Sequence, residues 1–467
     1  MISYFRSILT SRLLMLTLLF LAIQLPLFFL EGTATVPEVL YMLVGERMSD
    51  GFTLYKDIYD NTAPLSALIY WLIDLVWGRS FLTFRIVAML LLLFQAIFLN
   101  ITFNKLKVYA TKGYIPALLY LVFGSLVFEF TMLSPLLIGS TFIIMSLPYL
   151  VTVSREGFDY NRLFVGGFIL GLAALSYLPL AAFMVVAFFA VMLFASNAFR
   201  STLLLLCGFI FPFAVVLTYF FYTGALHEFI EMYLLRPWLA KVTFIRPPAD
   251  LAKIALLPAL VLLFSIANTL SLPQRLVFQV KFQQVMWVWL FTSLVLIFTR
   301  DEISAGTFVL LLPPLAYFGE FLFSGNLKKW ILNLLFLLLL AGVILLRYRE
   351  VTGINRFLNI DNSVLVLPDN APLPVKGSVV VVLGNDARYY QYNKVATPYL
   401  NWKLAQRHFG KLHEYYAVYA LANNFKQEPP TYIIDKAGIM PGLQVKLPYV
   451  FGRYQLTNNA GIYRLKQ

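Results

Sequence analysis

The sequence contains little cysteine and few charged residues. Its single cysteine, Cys207, lies inside an apolar run, which excludes an intrachain disulfide, a thiolate metal cluster and a dithiol redox motif. Charged residues make up 13% of the 467 residues and hydrophobic residues 60%, far more apolar residue than a soluble core uses. The composition therefore indicates a polytopic membrane protein.

Motifs of several common functions are also missing. The net charge is +13, but the basic residues are scattered at the ends of apolar runs without a basic stripe, which argues against nucleic-acid binding. There is no Gly-rich nucleotide loop, no HExxH and no Gly-x-Ser-x-Gly elbow. His408 and His413 are five residues apart, which does not match the i, i+4 spacing of a helical metal site.

Apolar runs long enough to cross a bilayer recur from Leu13 to Leu346, since a helix of roughly 20 residues spans about 30 Å of hydrocarbon. We predict about eleven transmembrane helices, at residues 13–30, 81–104, 114–132, 135–153, 163–178, 180–197, 201–222, 253–270, 283–299, 303–323 and 329–346. Residues 1–346 thus form a transmembrane domain. Residues 347–467 have mixed composition, with short β runs separated by helical pattern, which indicates a small α/β domain.

The basic residues predict the orientation. With the N-terminus in the cytoplasm, every predicted inner loop is basic, and the long segments 31–80 and 223–252 lie outside with most of the acids. An odd number of helices then makes the C-terminal domain extracytoplasmic. We interpret the first apolar run as a retained signal-anchor rather than a cleaved signal peptide, and expect a bacterial-type inner membrane.

Two shorter apolar stretches lie within the first outer loop. Leu65–Trp77 has roughly 13 residues and contains Asp74, so it is short for a crossing. We predict that it and Val36–Met48 are amphipathic helices on the outer interface.

Acidic residues are concentrated in the same loop, between Glu31 and Gly78. Because acids are costly next to a bilayer, such a cluster is a candidate functional site. Its members are Glu31, Glu38, Glu46, Asp50, Asp57, Asp60 and Asp74.

The pattern of this loop is similar to that of a known family. The run EVLYMLVGERMSDG, then LYKDIYDNTAPL, then a helix ending in WGRSFLTFR, resembles the first outer loop of membrane GT-C glycosyltransferases, which include aminoarabinose transferases and protein O-mannosyltransferases. The tail pieces LGNDARYYQYNKVATPYLNW and PPTYIID resemble the tail domain of bacterial members. The resemblance implies transfer of a sugar from a polyprenyl-phosphate donor to an acceptor at the outer membrane face.

The sequence departs from the family pattern at several positions. Pro37 stands where the family has its catalytic Asp, and Ser134 where many members have a second acid. Thr62 and Ala63 replace a common Lys-Pro. Proline cannot accept a proton, and serine does not replace an ionised carboxylate.

Four acids are candidates for catalysis, which requires a carboxylate near the acceptor hydroxyl. Glu38 is the acid retained beside the catalytic position, with a solvated charge on an interfacial helix as the alternative. Asp57 and Asp60 are three residues apart, and Asp60 also fits a capping turn before the next helix. Glu129, near the outer end of its helix, is a candidate replacement for the acid lost at Ser134, or a plain helix-end charge.

Four arginines are candidates for binding the donor phosphate: Arg79, Arg85, Arg236 and Arg246. For Arg79 and Arg85, anchoring to lipid headgroups is the alternative interpretation. A divalent metal would serve the same chemistry, and the sequence identifies no ligands for it.

The leading hypothesis is therefore a GT-C-like glycosyltransferase whose partners are membrane lipids and a polyprenyl-phosphate sugar. The alternative is a catalytically inactive GT-C-like scaffold that binds a lipid or a partner protein in an envelope assembly, because two catalytic acids are replaced. A transporter is the weaker third hypothesis, since charges within the spans are few and no paired broken-helix repeat is present.

Overall fold

The chain folds into two compact units. The computed structural model describes residues 2–30, 34–151, 160–235, 243–270, 276–299, 302–325, 328–361, 365–367 and 373–466. The helical unit consists of Met1–Glu31, Phe84–Val216 and Pro237–Val364. The α/β unit consists of Gly32–Thr83, Leu217–Arg236 and Leu365–Gln467. Each unit is thus assembled from three separate stretches of the chain.

Helices dominate both units. The α-helices of seven or more residues in the described part of the chain are α1 (Thr10–Leu30), α2 (Val36–Ser49), α3 (Pro64–Trp77), α4 (Phe81–Leu106), α5 (Ile115–Phe123), α6 (Pro135–Val151), α7 (Tyr160–Ser176), α8 (Met184–Phe194), α9 (Ala198–Thr223), α10 (Pro248–Leu270), α11 (Val277–Phe298), α12 (Leu312–Phe323), α13 (Lys329–Arg347), α14 (Trp402–Phe409), α15 (Tyr415–Gln427) and α16 (Met440–Lys446). Helices suit apolar sequences in a bilayer because they satisfy every backbone polar group internally.

The predicted fold class is confirmed: a mostly helical polytopic membrane fold with a small C-terminal sheet. Among the described residues, the stretches long and apolar enough to cross a membrane are Phe81–Leu106, Ala198–Thr223, Pro248–Thr269, Val277–Phe298, Ala305–Phe323 and Lys329–Arg347. The predicted span at 13–30 corresponds to α1, and those at 114–132, 135–153, 163–178 and 180–197 correspond to helices of 9 to 17 residues. The span at 114–132 is a helix only as far as Phe123 and continues into the 3-10 turn Phe128–Thr131.

Buried polar side chains inside the helical unit pair with one another. Gln95 on α4 donates to the hydroxyls of Ser140 at 3.1 Å and Thr141 at 2.6 Å on α6, and Tyr120 on α5 donates to its amide oxygen at 2.6 Å. These bonds link three helices and leave neither end of the amide unpaired, as an apolar interior requires.

The acidic loop forms two helices in the α/β unit. Helix α3 has 14 residues, so its length is about 21 Å, short of the membrane core. Helix α2 packs closely against α3 because Gly45 has no side chain. A Cβ added at Gly45 would lie 2.7 Å from the carbonyl oxygen of Tyr70. Arg47, near the end of α2, forms a partly buried ion pair with Glu428. This contact joins residues 381 positions apart, so the loop and the C-terminal region fold as one unit.

The C-terminal region contains a five-stranded sheet. The chain first forms a two-stranded parallel pair from β1 (Thr243–Phe244) and β2 (Glu302–Ile303) in the helical unit. The five strands are β3 (Val379–Leu383), β4 (Lys394–Val395), β5 (Tyr432–Asp435), β6 (Tyr454–Leu456) and β7 (Ile462–Leu465), in the order β4-β3-β5-β7-β6. β3 pairs in parallel with β4 and β5, and β7 is antiparallel to β5 and β6. The buried Val run of β3 lies in the interior of the sheet, between β4 and β5, as its unbroken apolar pattern predicts.

Candidate functional site

Two of the predicted site residues meet in the helical unit. Glu129 lies in the 3-10 turn Phe128–Thr131, between α5 and α6, and Arg246 lies between β1 and α10. The Nε of Arg246 donates to Oε1 of Glu129 at 3.2 Å. The Arg246 side chain has no exposed surface and that of Glu129 has 4%. The structure thus joins a predicted catalytic acid and a predicted phosphate-binding cation in one buried ion pair.

The local backbone explains the position of Arg246. The parallel pairing of β1 with β2 continues one residue further, where the Ile245 N–H donates to the carbonyl of Ile303 at 3.1 Å. Pro247 and Pro248 follow, and α10 begins at Pro248, where a proline suits the first turn of a helix. Arg246 is therefore held between a strand pair and a helix start.

Further charged groups surround the pair. Nη1 of Arg246 donates to the backbone carbonyl of Asp361 at 2.8 Å. Asp250, in the first turn of α10, pairs with Lys253 at 3.0 Å and accepts the N–H of Asp361 at 3.4 Å. Arg349 is 2% exposed and lies within electrostatic range of Glu129. The cluster holds both signs of charge in a largely dry setting, where each interaction is stronger than in water.

An apolar cavity of about 310 Å³ lies in the same unit. The residues that line it are all apolar, and they come mainly from α10, α11 and the segment 303–315. Phe130 and Leu251 line it and directly follow Glu129 and Asp250, and Phe244 precedes Arg246 by two residues. Sequence neighbours of the charged cluster therefore line an apolar cavity, whose size suits part of a small ligand or lipid chain.

The two oxygens of the Glu129 carboxylate differ in their contacts. Oε1 accepts from Arg246, whereas Oε2 is buried and has no donor in hydrogen-bond geometry among the described residues, although the backbone N–H of Ala305 also interacts with the carboxylate. A buried carboxylate oxygen without a donor is a candidate acceptor for a ligand's proton.

Glu38 has a structural role in the α/β unit. It is the third residue of α2, and its Oε2 accepts from the N–H of Thr35 at 3.3 Å and from the Thr35 hydroxyl at 2.9 Å, while that hydroxyl accepts the Glu38 N–H at 3.4 Å. This is a capping box, which satisfies the first backbone donors of the helix. Pro37 also belongs to the first turn, where a proline is well tolerated.

Asp57 and Asp60 stabilise the turn between α2 and α3. Asp57 accepts the backbone N–H of Thr53 at 3.0 Å. Asp60 is 4% exposed and accepts the backbone N–H of Thr62 at 3.1 Å, the Thr62 hydroxyl, and the amide of Asn401 at 3.3 Å. The two carboxylates bind different donors and do not share a ligand position.

The remaining predicted arginines differ from Arg246. Arg79 pairs with Glu46 and donates to the backbone carbonyls of Tyr390 at 2.8 Å and Asn393 at 3.2 Å, so it anchors the loop between β3 and β4. Arg85 is half-buried on α4. Arg236 lies outside the described residues.

Ser134 occupies the position of the family's second acid. Its hydroxyl accepts the N–H of Leu137 at 3.2 Å and so caps the start of α6. Among the described residues, no group of three or more His, Cys, Asp or Glu side chains is close enough to hold a metal ion.

His408 is buried in the α/β unit. Its Nδ1 lies 3.0 Å from the hydroxyl of Tyr399, and its ring contacts those of Tyr59 and Tyr416 edge-on. Burial, with the charge of neighbouring Arg407, lowers the pKa of His408 to about 4. The imidazole is therefore neutral at physiological pH.

Sequence reasoning missed Asp250, Lys253 and Arg349. In the sequence, Asp250 and Lys253 have the pattern of ordinary charges at a helix start. Arg349 has that of a basic residue after the last span. The available signal was the spacing of Arg246, Asp250 and Lys253, which places three charges within about eight residues beside an apolar span.

The fold and the site together define a polytopic membrane protein with a buried charged cluster beside an apolar cavity. No protein-family model matches the chain, and no curated protein matches its sequence. Among solved structures, the chain is similar to the archaeal oligosaccharyltransferase AglB from Archaeoglobus fulgidus, in complex with an inhibitory peptide and a dolichol-phosphate. The TM-score is 0.45 at 10% sequence identity, over 98% of this chain and 74% of that one. The assignment of site residues rests on the contacts of this chain alone.

Proposed function

We propose that the protein is a GT-C-like membrane glycosyltransferase that uses a polyprenyl-phosphate sugar as donor at the outer face of a bacterial-type inner membrane. The observation that carries the proposal is the Glu129–Arg246 pair beside the apolar cavity. The resemblance of residues 38–85 to the first outer loop of that family supports it.

In this proposal the cavity takes the apolar chain of the donor and Arg246 binds its phosphate. A guanidinium presents a planar set of donors that matches phosphate oxygens, and the apolar lining excludes water that would weaken the attraction. Glu129 orients Arg246 through Oε1, and Oε2 accepts the proton of the acceptor hydroxyl. Glu38, Asp57 and Asp60 remain predicted catalytic residues, each with a capping or turn role in the fold.

A second candidate function uses the same cavity without sugar transfer. The protein would bind a lipid phosphate, or a partner protein in an envelope assembly, as an inactive scaffold. The engagement of Glu38 and Asp60 in local caps favours this alternative, because acids that hold a helix start and a turn are less available for catalysis.

The first test measures equilibrium binding of radiolabelled farnesyl phosphate and farnesol to the purified full-length protein. We expect the phosphate to bind at least about tenfold more tightly than the alcohol, because hydrogen bonds to charged groups contribute about 1.5–3 kcal/mol. Ala255→Phe, which fills the cavity, should weaken both ligands. Leu260→Phe on the exposed face of the same helix is the matched control and should change neither.

Sugar transfer distinguishes the two functions. Incubation with labelled polyprenyl-phosphate sugars and membranes should give a labelled acceptor with wild type and none with Arg246→Ala. Phosphate-selective binding without transfer would support the lipid-phosphate scaffold instead. Equal binding of farnesyl phosphate and farnesol would overturn both functions that use a lipid phosphate.

A further inference from the structure

We propose that Asp250 is the positioning residue for Arg246, acting through the backbone of Asp361. This inference rests on the proposed function, since it concerns how the phosphate-binding guanidinium is oriented. Asp250 is 5% exposed and belongs to the first turn of α10, where the helix dipole favours a carboxylate.

The contacts form a continuous chain. Oδ2 of Asp250 accepts the N–H of Asp361 at 3.4 Å, and the carbonyl of Asp361 accepts Nη1 of Arg246 at 2.8 Å. Nε of Arg246 then reaches Glu129 at 3.2 Å. One edge of the guanidinium is thus fixed by Glu129 and another by the Asp361 carbonyl, which together set the plane of the group.

Lys253 completes the support. Its Nζ binds Oδ1 of Asp250 at 3.0 Å and the carbonyl of Leu358 at 2.7 Å. The Asp250–Lys253 pair therefore holds the backbone of residues 358–361 at two points. This segment follows α13 and the short turn Asn355–Leu358, and the carbonyl that orients Arg246 belongs to it.

Orientation matters because the strength of an ionic hydrogen bond depends on its geometry. If Asp250 is removed, the Asp361 N–H loses its acceptor and the carbonyl that receives Nη1 of Arg246 is held by fewer contacts, so the guanidinium is oriented less sharply. Phosphate binding then weakens, whereas binding of the uncharged chain in the cavity is unaffected.

The test is the equilibrium binding of farnesyl phosphate and farnesol to wild type, Asp250→Asn and Asp250→Ala. We expect Asp250→Ala to weaken farnesyl phosphate about tenfold with farnesol unchanged. The affinity of Asp250→Asn for farnesyl phosphate should lie between those of wild type and Asp250→Ala. The amide oxygen of the asparagine still accepts the Asp361 N–H, but its side chain no longer forms an ion pair with Lys253. If Asp250→Ala does not fold, as judged by size-exclusion chromatography, Asp250→Asn carries the test. Glu350→Ala, an exposed acid after α13, is the control.

A double variant separates positioning from general stabilisation. In an Arg246→Lys background, Asp250→Ala should cause no further loss of phosphate affinity, since the group that it orients has gone. Equal weakening of both ligands, or a loss that adds to that of Arg246→Lys, would overturn the proposal. Failure of the proposed function gives a different result, because the wild-type protein itself would then bind farnesyl phosphate no more tightly than farnesol.

Discussion

Arg246 is the largest fully buried side chain in the described part of the molecule. Removing a guanidinium from water carries a penalty of several kcal/mol, which attraction to a carboxylate offsets only with good geometry and further hydrogen bonds. Glu129 and the Asp361 carbonyl supply those partners. Because an apolar pair of similar volume is often at least as stable, a pair of this kind beside a cavity favours a role in ligand binding.

His408 makes the stability of the protein depend on pH. Burial lowers its folded-state pKa to about 4, below the ordinary value of 6.5, so the unfolded chain binds a proton first as the pH falls. The stability contribution is complete above about pH 6.5 and is lost progressively down to about pH 4. We expect a loss of about 2 kcal/mol between pH 7 and pH 5.

Thermal unfolding of the full-length protein in detergent at both pH values measures this effect. His408→Phe, which keeps a ring against Tyr59 and Tyr416, should abolish the His408 share of the loss. His413→Phe, at a side chain that is 80% exposed, is the control. An unchanged pH dependence in His408→Phe would refute the assignment.

Local sequence carries some residue roles and not others. Thr35 and Glu38 are three residues apart, as in a capping box, and Asp60 precedes Thr62 by two, as in an Asx turn, so both structural roles were readable from spacing. Glu129 and Arg246 were each named as candidates. Their meeting was not predictable, because 117 residues separate them and only the packing of several helices brings them together.

Glycines set the packing of α7 against α9. A Cβ added at Gly208 would lie 2.1 Å from the carbonyl oxygen of Phe164, and one at Gly167 would lie 2.1 Å from that of Leu205. Small residues allow such close backbone approach between membrane helices. The carbonyl oxygens of Phe164 and Leu205 belong to the backbone, so neither can move away unless its whole helix moves.

We therefore expect Gly208→Ala to destabilise the protein by about 1–3 kcal/mol, as overpacking does. Gly442→Ala on α16 is the matched control, because nothing lies within 4 Å of its added Cβ, and alanine there should be neutral or stabilising. The midpoint of thermal unfolding measures both variants. Equal midpoints for Gly208→Ala and wild type would show that the helices tolerate separation.

Hydropathy predicted where the helices lie in the sequence better than it predicted where they begin and end. The predicted span at 114–132 is helical only over Ile115–Phe123, after which Gly124 ends the helix. The predicted span at 180–197 begins as the 3-10 segment Leu178–Phe183, which contains Pro179. Apolar composition reports burial in the bilayer, whereas the ends depend on single glycines, prolines and side-chain caps.

At the scale of the whole chain, composition does not reveal which stretches fold together. The acidic loop belongs to the same unit as the C-terminal sheet, and the ion pair of Arg47 with Glu428 is part of that unit. Arg47 reads from sequence as a helix-end charge on a surface helix. Its partner lies 381 residues away, so no local pattern indicates the pairing.

Membrane orientation is a property of the whole molecule that labelling can determine. From the basic loops we predict that the N-terminus and Lys112 are cytoplasmic, and the predicted eleven crossings would then put the C-terminal domain outside. Because Cys207 is the single native cysteine, Cys207→Ser gives a background for single-cysteine variants. In intact cells, Tyr419→Cys in the C-terminal domain should react with a membrane-impermeant maleimide. Lys112→Cys should react only after permeabilisation, and both positions are exposed in their own units.

The labelling result also tests whether the segment that carries Arg246 lies on the outer face of the membrane. Polyprenyl-phosphate sugars serve as donors at the outer face in the proposed reaction, and the segment that carries Arg246 belongs to the predicted outer loop 223–252. Labelling of Lys112→Cys from outside, with Tyr419→Cys protected, would reverse every loop and place that segment in the cytoplasm. Labelling of both positions from the same side would mean that an even number of crossings separates residue 112 from residue 419. A crossing by α3, which precedes residue 112, would instead leave the two positions on opposite sides and invert both.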